Sequence, residues 1–546
     1  MKKQTKVMAT LSTAALLALG FSAVSMAAGW DNSTGAWRYL NNDGTEVVDE
    51  WKSANGNWFY LDSDGVMATD KLIEDTSSNN GKTKYYYVDQ YGAMVKNTWK
   101  AVAMDDDATD LDAEYWWYYF GNDGKAYTTD SDKLSKSKIK TINGLKYAFN
   151  EEGHMLYGWV EEDNYQTQDD TTEDRWKTAD YYFNGWNDGH AQTGWAQLSV
   201  EDDNDTETYW FYFDGDGKKQ ANKRKKINGV YYVFGANGNM VDEWAYQYGK
   251  SSWSDMNDSF GAADVASVSY LNGDGSQRKN TWIYAIPDEK MDAVVGSTDN
   301  DDDEYRWFYA GKDGKLVTDQ IKKINGKKYA FDTIGRMKKG FVYTDGKEFN
   351  GTVSDWDKMT RDEWIETKLG DVAFFSNDEA KDGAMKFGYQ NIELDDGTYQ
   401  FYFDKKNGQA YTKYNKDIKK FLVNGMILKP SSDDDNNYAA VLLNSDGTPV
   451  TGVKGVTPML TDYNDIIAEI GGSYKVVLVN ASGTKVTKKT VKDENDQYWR
   501  TNADGEIVRY ATDKDAYDAL RDKKNKKHEG VDNWNSADDA TGWNNY

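Results

Sequence analysis

Trp117-Tyr118-Tyr119-Phe120-Gly121-Asn122-Asp123-Gly124 sets large rings side by side along a short run and then breaks on a polar tetrad ending in glycine. In an extended strand Trp117 and Tyr119 face one side while Tyr118 and Phe120 face the other. The Asp-Gly that follows supplies the positive φ of a tight turn, so the stretch reads as a strand entering a β-hairpin. The same unit stands at Trp37-Arg38-Tyr39-Leu40 before Gly44 and at Trp58-Phe59-Tyr60-Leu61 before Gly65.

Working outward, three hairpin types alternate. The first recurs at Trp210 to Gly217, Trp307 to Gly314 and Phe401 to Gly408, at a spacing of roughly 95 residues. The second enters on Ile-Asn-Gly at Ile142, Ile227 and Ile324, each followed by a Tyr and a Phe and then by Trp159, Trp244 or Phe341. The third runs from Tyr85, Tyr181, Tyr270 or Phe374 and closes on Trp99, Trp195, Trp282 or Tyr389. A lone hairpin cannot bury both of its aromatic faces. The expected fold is therefore all-β: a β-hairpin solenoid of stacked aromatic repeats, with a diverged C-terminal β-rich cap.

The expected organisation is a signal peptide at 1–27, a repeat solenoid at 28–428, a diverged β-rich region at 429–510, and a helical and mobile tail at 511–546. Lys2, Lys3 and Lys6 precede an apolar run to about Phe21, and Ser25-Met26-Ala27 offers a cleavage site. Beyond Lys429 lie Pro430, Pro449 and Pro458, and aromatic strands give way to Val and Leu. Two short helices are expected, one with Leu460, Tyr463, Ile467 and Ile470 on one face and one from Asp513 to about Lys524.

Of 546 residues, 91 are Asp or Glu and 65 are Lys or Arg, a net charge of −26 that disfavours nucleic acid and anionic lipid. The basic run Lys218, Lys219, Lys223 to Lys226 lies between two hairpins and reads as a solvated turn. No segment after the first is apolar enough to insert in a membrane. With no cysteine, disulfides and thiolate chemistry are excluded, and 21 Trp, 39 Tyr and 19 Phe must form the core. Any ligand surface competes for those same rings.

These hairpins resemble the cell-wall-binding repeats shared by choline-binding proteins, the glucan-binding regions of glucosyltransferases and the repeat regions of large clostridial toxins. The resemblance rests on Trp117 to Gly124, Ile142 to Phe149, Gly158-Trp159 and Gly194-Trp195, and covers roughly Trp30 to Phe403. In choline-binding members it implies a pocket of aromatics from adjacent hairpins, closed by the Trp of a Gly-Trp pair. Here that pair is often replaced, as at Glu50-Trp51, Thr98-Trp99, Glu243-Trp244 and Gly340-Phe341, and acidic loops widen the hairpins. Both departures speak against regular choline sites.

Catalysis finds little support: His154, His190 and His528 are the only histidines, the first two at variable turn positions, and acids are so abundant that any pair arises by chance. The acid runs Asp105 to Asp107, Asp202-Asp203, Asp301 to Glu304 and Asp395-Asp396 are the only Ca²⁺ candidates. They lack EF-hand spacing and read as solvated hairpin tips, so no cofactor is expected. Flat aromatic faces stack on sugar rings, and clustered rings attract quaternary ammonium. The binding candidates are the closing residues Trp51, Trp99, Trp159, Trp195, Trp244 and Trp282, with Trp117, Tyr119, Trp210, Tyr212, Trp307 and Tyr309 on the strands. The expected function is non-enzymatic, multivalent, non-covalent binding of a cell-wall polymer or polysaccharide by a secreted Gram-positive surface protein. Two alternatives stay open: a structural spacer or coat component whose aromatics are only core, and choline-type binding.

Overall fold

In the first hairpin type the aromatic strand pairs with the strand before it, across the acidic connection, and meets the residues after its Asp-Gly turn in one bridge. Thus Thr98–Ala103 lies antiparallel to Tyr115–Phe120, with Trp99 opposite Tyr119 and Ala101 opposite Trp117. Gly194–Asp202 pairs with Asp205–Phe213, and Thr281–Ala285 with Arg306–Ala310. After the turn the chain makes one bridge, Phe120 to Ala126, and departs for the next hairpin. The turn acids are consumed locally: the Asp62 carboxylate accepts from the Asp64 and Val66 amides at 3.0 and 2.9 Å.

The computed structural model describes residues 28–76, 82–104, 113–166, 174–203, 205–257, 259–295, 304–345, 348–377, 382–430, 437–515, 518 and 534–536. The export signal expected at 1–27, the acid runs Asp105 to Asp107 and Asp301 to Asp303, and most of the helix and tail expected at 511–546 lie outside the described residues.

The chain is hairpin-rich and β throughout apart from short helices, but the expected solenoid is not formed. Among the described residues no sheet is closed into a barrel or curled into a solenoid; the repeat region is a set of separate, mostly two-stranded sheets. The reason is visible in the hydrogen bonds. Successive hairpins meet in isolated backbone contacts, such as Met94 N to Trp58 O at 2.9 Å, Met155 N to Trp117 O at 2.8 Å and Met240 N to Trp210 O at 2.7 Å, or one bridge, as from Tyr181 to Lys218. Each ladder ends there, so neighbours pack by side chains and share no continuous sheet.

Two compact units divide the chain. One comprises the described residues up to Val241 together with Gly249–Asp255, and holds its core in small clusters such as Trp176, Ala196, Val200, Phe211 and Phe213. The other comprises Asp242–Tyr248 and the described residues from Met256 onward. It contains a nine-stranded sheet that includes Gly340–Asp345, Val372–Phe375 and Gly397–Phe403, and a core running from Phe341 through Trp364 and Phe401 to Val479.

The stretch near Tyr343 to Gly370, which shows no hairpin pattern in the sequence, forms a strand pair and the helix Arg361–Glu366. Thr360 and Glu363 cap that helix reciprocally, and Trp364 is fully buried beneath it. The expected helix near Pro458 spans Tyr463–Glu469, capped by Asp462, and buries Ile466 more deeply than the Tyr463, Ile467 and Ile470 of the expected face. Further Asn-Gly turns stand at Asn55-Gly56, with φ of 52° and 81°, and at Asn424-Gly425, with φ of 47° and 83°, matching Asn143-Gly144, Asn228-Gly229 and Asn325-Gly326. Two consecutive positive φ values define the type I′ turn that suits strand twist.

Candidate functional site

The second face of each long hairpin meets the following Asn-Gly hairpin, and one tryptophan closes the junction. Trp99 lies 5.1 Å from Tyr119, 4.9 Å from Tyr147 and 5.9 Å from Phe149. Trp195 repeats this with Tyr212, Tyr232 and Phe234 at 5.2, 4.9 and 5.6 Å. Trp282 does so with Tyr309, Tyr329 and Phe331 at 5.2, 4.8 and 5.9 Å. The strand tryptophans Trp117, Trp210 and Trp307 stand edge-on to these closing rings at 6.5, 6.2 and 6.2 Å. Edge-to-face contacts of this kind are favourable packing geometry.

The other closing residues make tighter boxes. Trp51 packs on Tyr60 and Tyr86 at 5.2 and 5.0 Å, and Trp159 on Tyr182 and Phe211 at 4.8 and 5.2 Å. Trp244 packs on Tyr270 and Phe308 at 4.8 and 5.0 Å. Trp244 is buried, its Nε1 donating to the Ile286 carbonyl at 2.8 Å, and Tyr309 is buried as well. Trp51, Trp99, Trp117, Tyr119, Trp159, Trp195, Tyr212, Trp282 and Trp307 are half-buried, and Trp210 is exposed. The twelve candidates therefore do not form one surface; they divide among separate boxes, and two of them are core.

Several rings already carry a cation from the chain itself. Lys52, Lys100, Lys140 and Lys225 place their ammonium groups over Tyr39, Tyr87, Tyr127 and Tyr212 at 5.3, 4.8, 5.6 and 5.3 Å, at a constant sequence spacing. An ammonium at this range is attracted by the ring face and occupies the place an external cation needs.

An open, ring-lined volume lies at the third box. A cavity of about 550 Å³ is lined by Arg278, Asn280, Thr281, Trp282, Tyr284, Trp307, Tyr309 and Asn325. Strand alternation builds it: Trp282 opposes Tyr309 and Tyr284 opposes Trp307, while Ile283 and Phe308 turn the other way into the core. Tyr284 lies 4.7 Å from Trp307 and 5.2 Å from Tyr305, inclined to them by 32° and 30°, and Tyr284 and Tyr305 are each 55 % exposed. A neighbouring cavity of about 380 Å³ shares Tyr284 and is lined also by Tyr305, Glu243, Asp288 and Glu289. Tyr284 and Tyr305 were not among the sequence candidates. Their signal is present, since each stands two residues from a candidate tryptophan and so shares its face, but Tyr284 replaces the Ala101 and Gln197 of the earlier copies.

Among the described residues no group of three His, Cys, Asp or Glu is placed to hold a metal ion. Asp202 binds Lys177 and the Tyr209 hydroxyl, at 2.8 and 2.9 Å, and the Asp396 carboxylate accepts from the Arg361 amide at 3.0 Å. No helix among the described residues is long and apolar enough to cross a membrane.

A choline-binding repeat model matches residues 48–99. Over 405 residues, 70 % of this chain, the sequence is 24 % identical to glucosyltransferase-I of Streptococcus downei, and over 329 residues, 57 % of this chain, it is 28 % identical to glucosyltransferase-S of Streptococcus mutans. The matched region spans 21 % and 18 % of those two enzymes. Among solved structures, choline binding protein F of Streptococcus pneumoniae, crystallised with a peptidoglycan analogue, aligns at 17 % identity and a TM-score of 0.26, covering 70 % of this chain and 98 % of its own. The hairpins of this chain are thus similar to choline-binding repeats and to the part of the glucosyltransferases that they match.

Proposed function

We propose that this is a secreted, non-catalytic protein of a Gram-positive envelope that holds wall polymer or polysaccharide on exposed aromatic faces, while most of its aromatics serve as core. The observation that carries this reading is the cavity at Trp282 and Trp307, continued by the exposed, adjacent rings of Tyr284 and Tyr305. Flat rings in that arrangement offer apolar faces to the CH surfaces of successive sugars. The relatives' names fit this reading, since two act as glucosyltransferases and one structure was solved with a peptidoglycan analogue.

A structural role, as spacer or coat component, is favoured by other observations. Trp244 and Tyr309 are buried, the closing tryptophans pack edge-on against both adjoining hairpins, and lysines of the chain cover Tyr39, Tyr87, Tyr127 and Tyr212. In this combined reading binding is confined to the Tyr284 face, and the other boxes hold the repeats together. Incubation with purified wall, with wall stripped of teichoic acid and with a panel of glucans, choline being added as competitor, tests it. Retention that survives millimolar choline and is lost in Tyr284→Ala supports the sugar face. Release by choline assigns the site to quaternary ammonium, and absence of retention on every polymer leaves the structural role alone.

A further inference from the structure

Arg278 lines the aromatic cavity as its one charged residue, in a chain where acids outnumber bases. It is half-buried, and its guanidinium is held only by neutral acceptors, Nη1 donating to Asn272 Oδ1 at 3.2 Å and Nη2 to the Trp282 carbonyl at 2.9 Å. Its Nε has no acceptor, and among the described residues Arg278 forms no ion pair. A charge withdrawn from water without a counter-charge is costly, and an anion entering the cavity would supply what the protein withholds.

The position is particular to this copy. Counting three residues on from the turn glycines Gly92, Gly189 and Gly275 gives Val95, Gln192 and Arg278. In the fourth copy Lys386 follows Gly383 at the same distance, and there the cation is paired with Asp382 at 3.2 Å. The surroundings add to the field. Asn325 closes the cavity from the tip of a hairpin carrying Lys322, Lys323, Lys327 and Lys328, with Lys323 directly opposite Lys328. Like charges opposed across a strand pair destabilise it, and a nearby anion relieves the repulsion. The carboxylates of Glu243, Asp288 and Glu289 line the neighbouring cavity instead.

We infer that the Trp282 and Trp307 cavity selects a sugar carrying an anionic group, its ring stacked on the aromatics and its carboxylate or phosphate directed to Arg278. This rests on the polysaccharide reading above and names the ligand class. Arg presents a planar set of donors suited to such oxyanions.

The test titrates the full chain with oligogalacturonate and with its methyl ester, which has the same rings without the charge, at low and high salt. The acid is expected to bind about tenfold more tightly than the ester at low salt, a margin that narrows as salt rises. Arg278→Gln should bring the acid-to-ester ratio to about one, and Arg278→Lys, which keeps the charge, should retain much of it. Near-UV circular dichroism of both variants checks that the Trp282 environment is preserved, and a fold-impaired Arg278→Gln is replaced by the Arg278→Lys comparison and the salt series. Competition by glucuronate or by glucose 6-phosphate then distinguishes uronate from phosphate, either upholding the anionic class. Equal binding of acid and ester to the unaltered protein overturns this inference while the polysaccharide reading stands. Absence of binding by both overturns the two together.

Discussion

Lys219 holds its ammonium 5.4 Å from the centre of the Trp159 ring and donates to the Trp176 carbonyl at 2.5 Å, although the residue is only 7 % exposed. It occupies the place that Met94 and Met155 fill in other hairpins, beneath the turn glycine of the next one. Burial lowers its pKa from the ordinary value of 10.5 to about 8.

Because the folded pKa lies below the unfolded one, the unfolded chain binds more protons between about pH 8 and 10.5, and this group makes stability rise with pH across that window. Lys219→Met is therefore expected to stabilise the protein at pH 7 by about 2 to 3 kcal/mol and to flatten that slope. Denaturant unfolding of both proteins at pH 7 and pH 10 measures it. Equal stability at pH 7 would mean that the bonds to the Trp176 and Lys177 carbonyls fully offset burial.

His154 lies flat on Trp116, ring centres 4.0 Å apart and planes 2° from parallel, and burial lowers its pKa to about 4. The sign parallels that of Lys219: the unfolded imidazole takes its proton near pH 6.5 and the folded one resists until about pH 4, so stability falls as pH drops through this window. His154→Phe keeps the stacked ring without the proton and should reduce the loss between pH 7 and 4 by roughly 2 kcal/mol. Glu152, 3.3 Å from Nδ1, works against the shift. Superimposable acid titrations of the two proteins would show that it wins.

Gly124 has a φ of 80°, and a Cβ added there would meet Met94 Sδ at 2.6 Å. Gly124→Ala combines left-handed strain with an overlap at the hairpin junction, and should cost about 2 kcal/mol. The paired change Gly124→Ala with Met94→Ala should recover the overlap part only. Thermal unfolding of the two variants separates strain from crowding, and an unaffected single variant would show that Met94 moves aside freely.

Tyr284 and Trp244 have opposite exposures, and their alanine variants should part accordingly. Tyr284→Ala should leave the unfolding midpoint nearly unchanged while weakening polymer retention. Trp244→Ala should cost about 3 to 5 kcal/mol, as for other large rings cut from a core. Binding assays run beside calorimetry decide it; a Tyr284→Ala protein with full retention would move the site away from this face.

Much of the local architecture was legible in the residues. Trp117 to Phe120 alternates as a strand must, Asn143-Gly144 and its later copies meet the two positive φ values of a hairpin turn, and the acidic segment between Trp195 and Phe213 does join two paired strands. The Asn424-Gly425 turn was also readable, but the aromatic pattern around it had already faded into Phe421-Leu422-Val423. The solenoid is corrected by the structure: hairpins that bury their apolar faces on one another are expected to stack into one, whereas the sheets remain separate and mostly two-stranded.

The hairpins, their repeat and the large aromatic share of the core are written in the sequence, since they depend on strand alternation, turn stereochemistry and composition, which are properties of the residues themselves. Only the tertiary structure decided which rings stay open. Tyr309 and Tyr284 are equally apolar and sit on one hairpin, yet one is covered by the next hairpin and the other stands free beside Tyr305. That difference depends on where each ladder ends and on how the following hairpin packs its Tyr329 and Phe331 in one cluster with Tyr309, a contact between distant residues that no local pattern records.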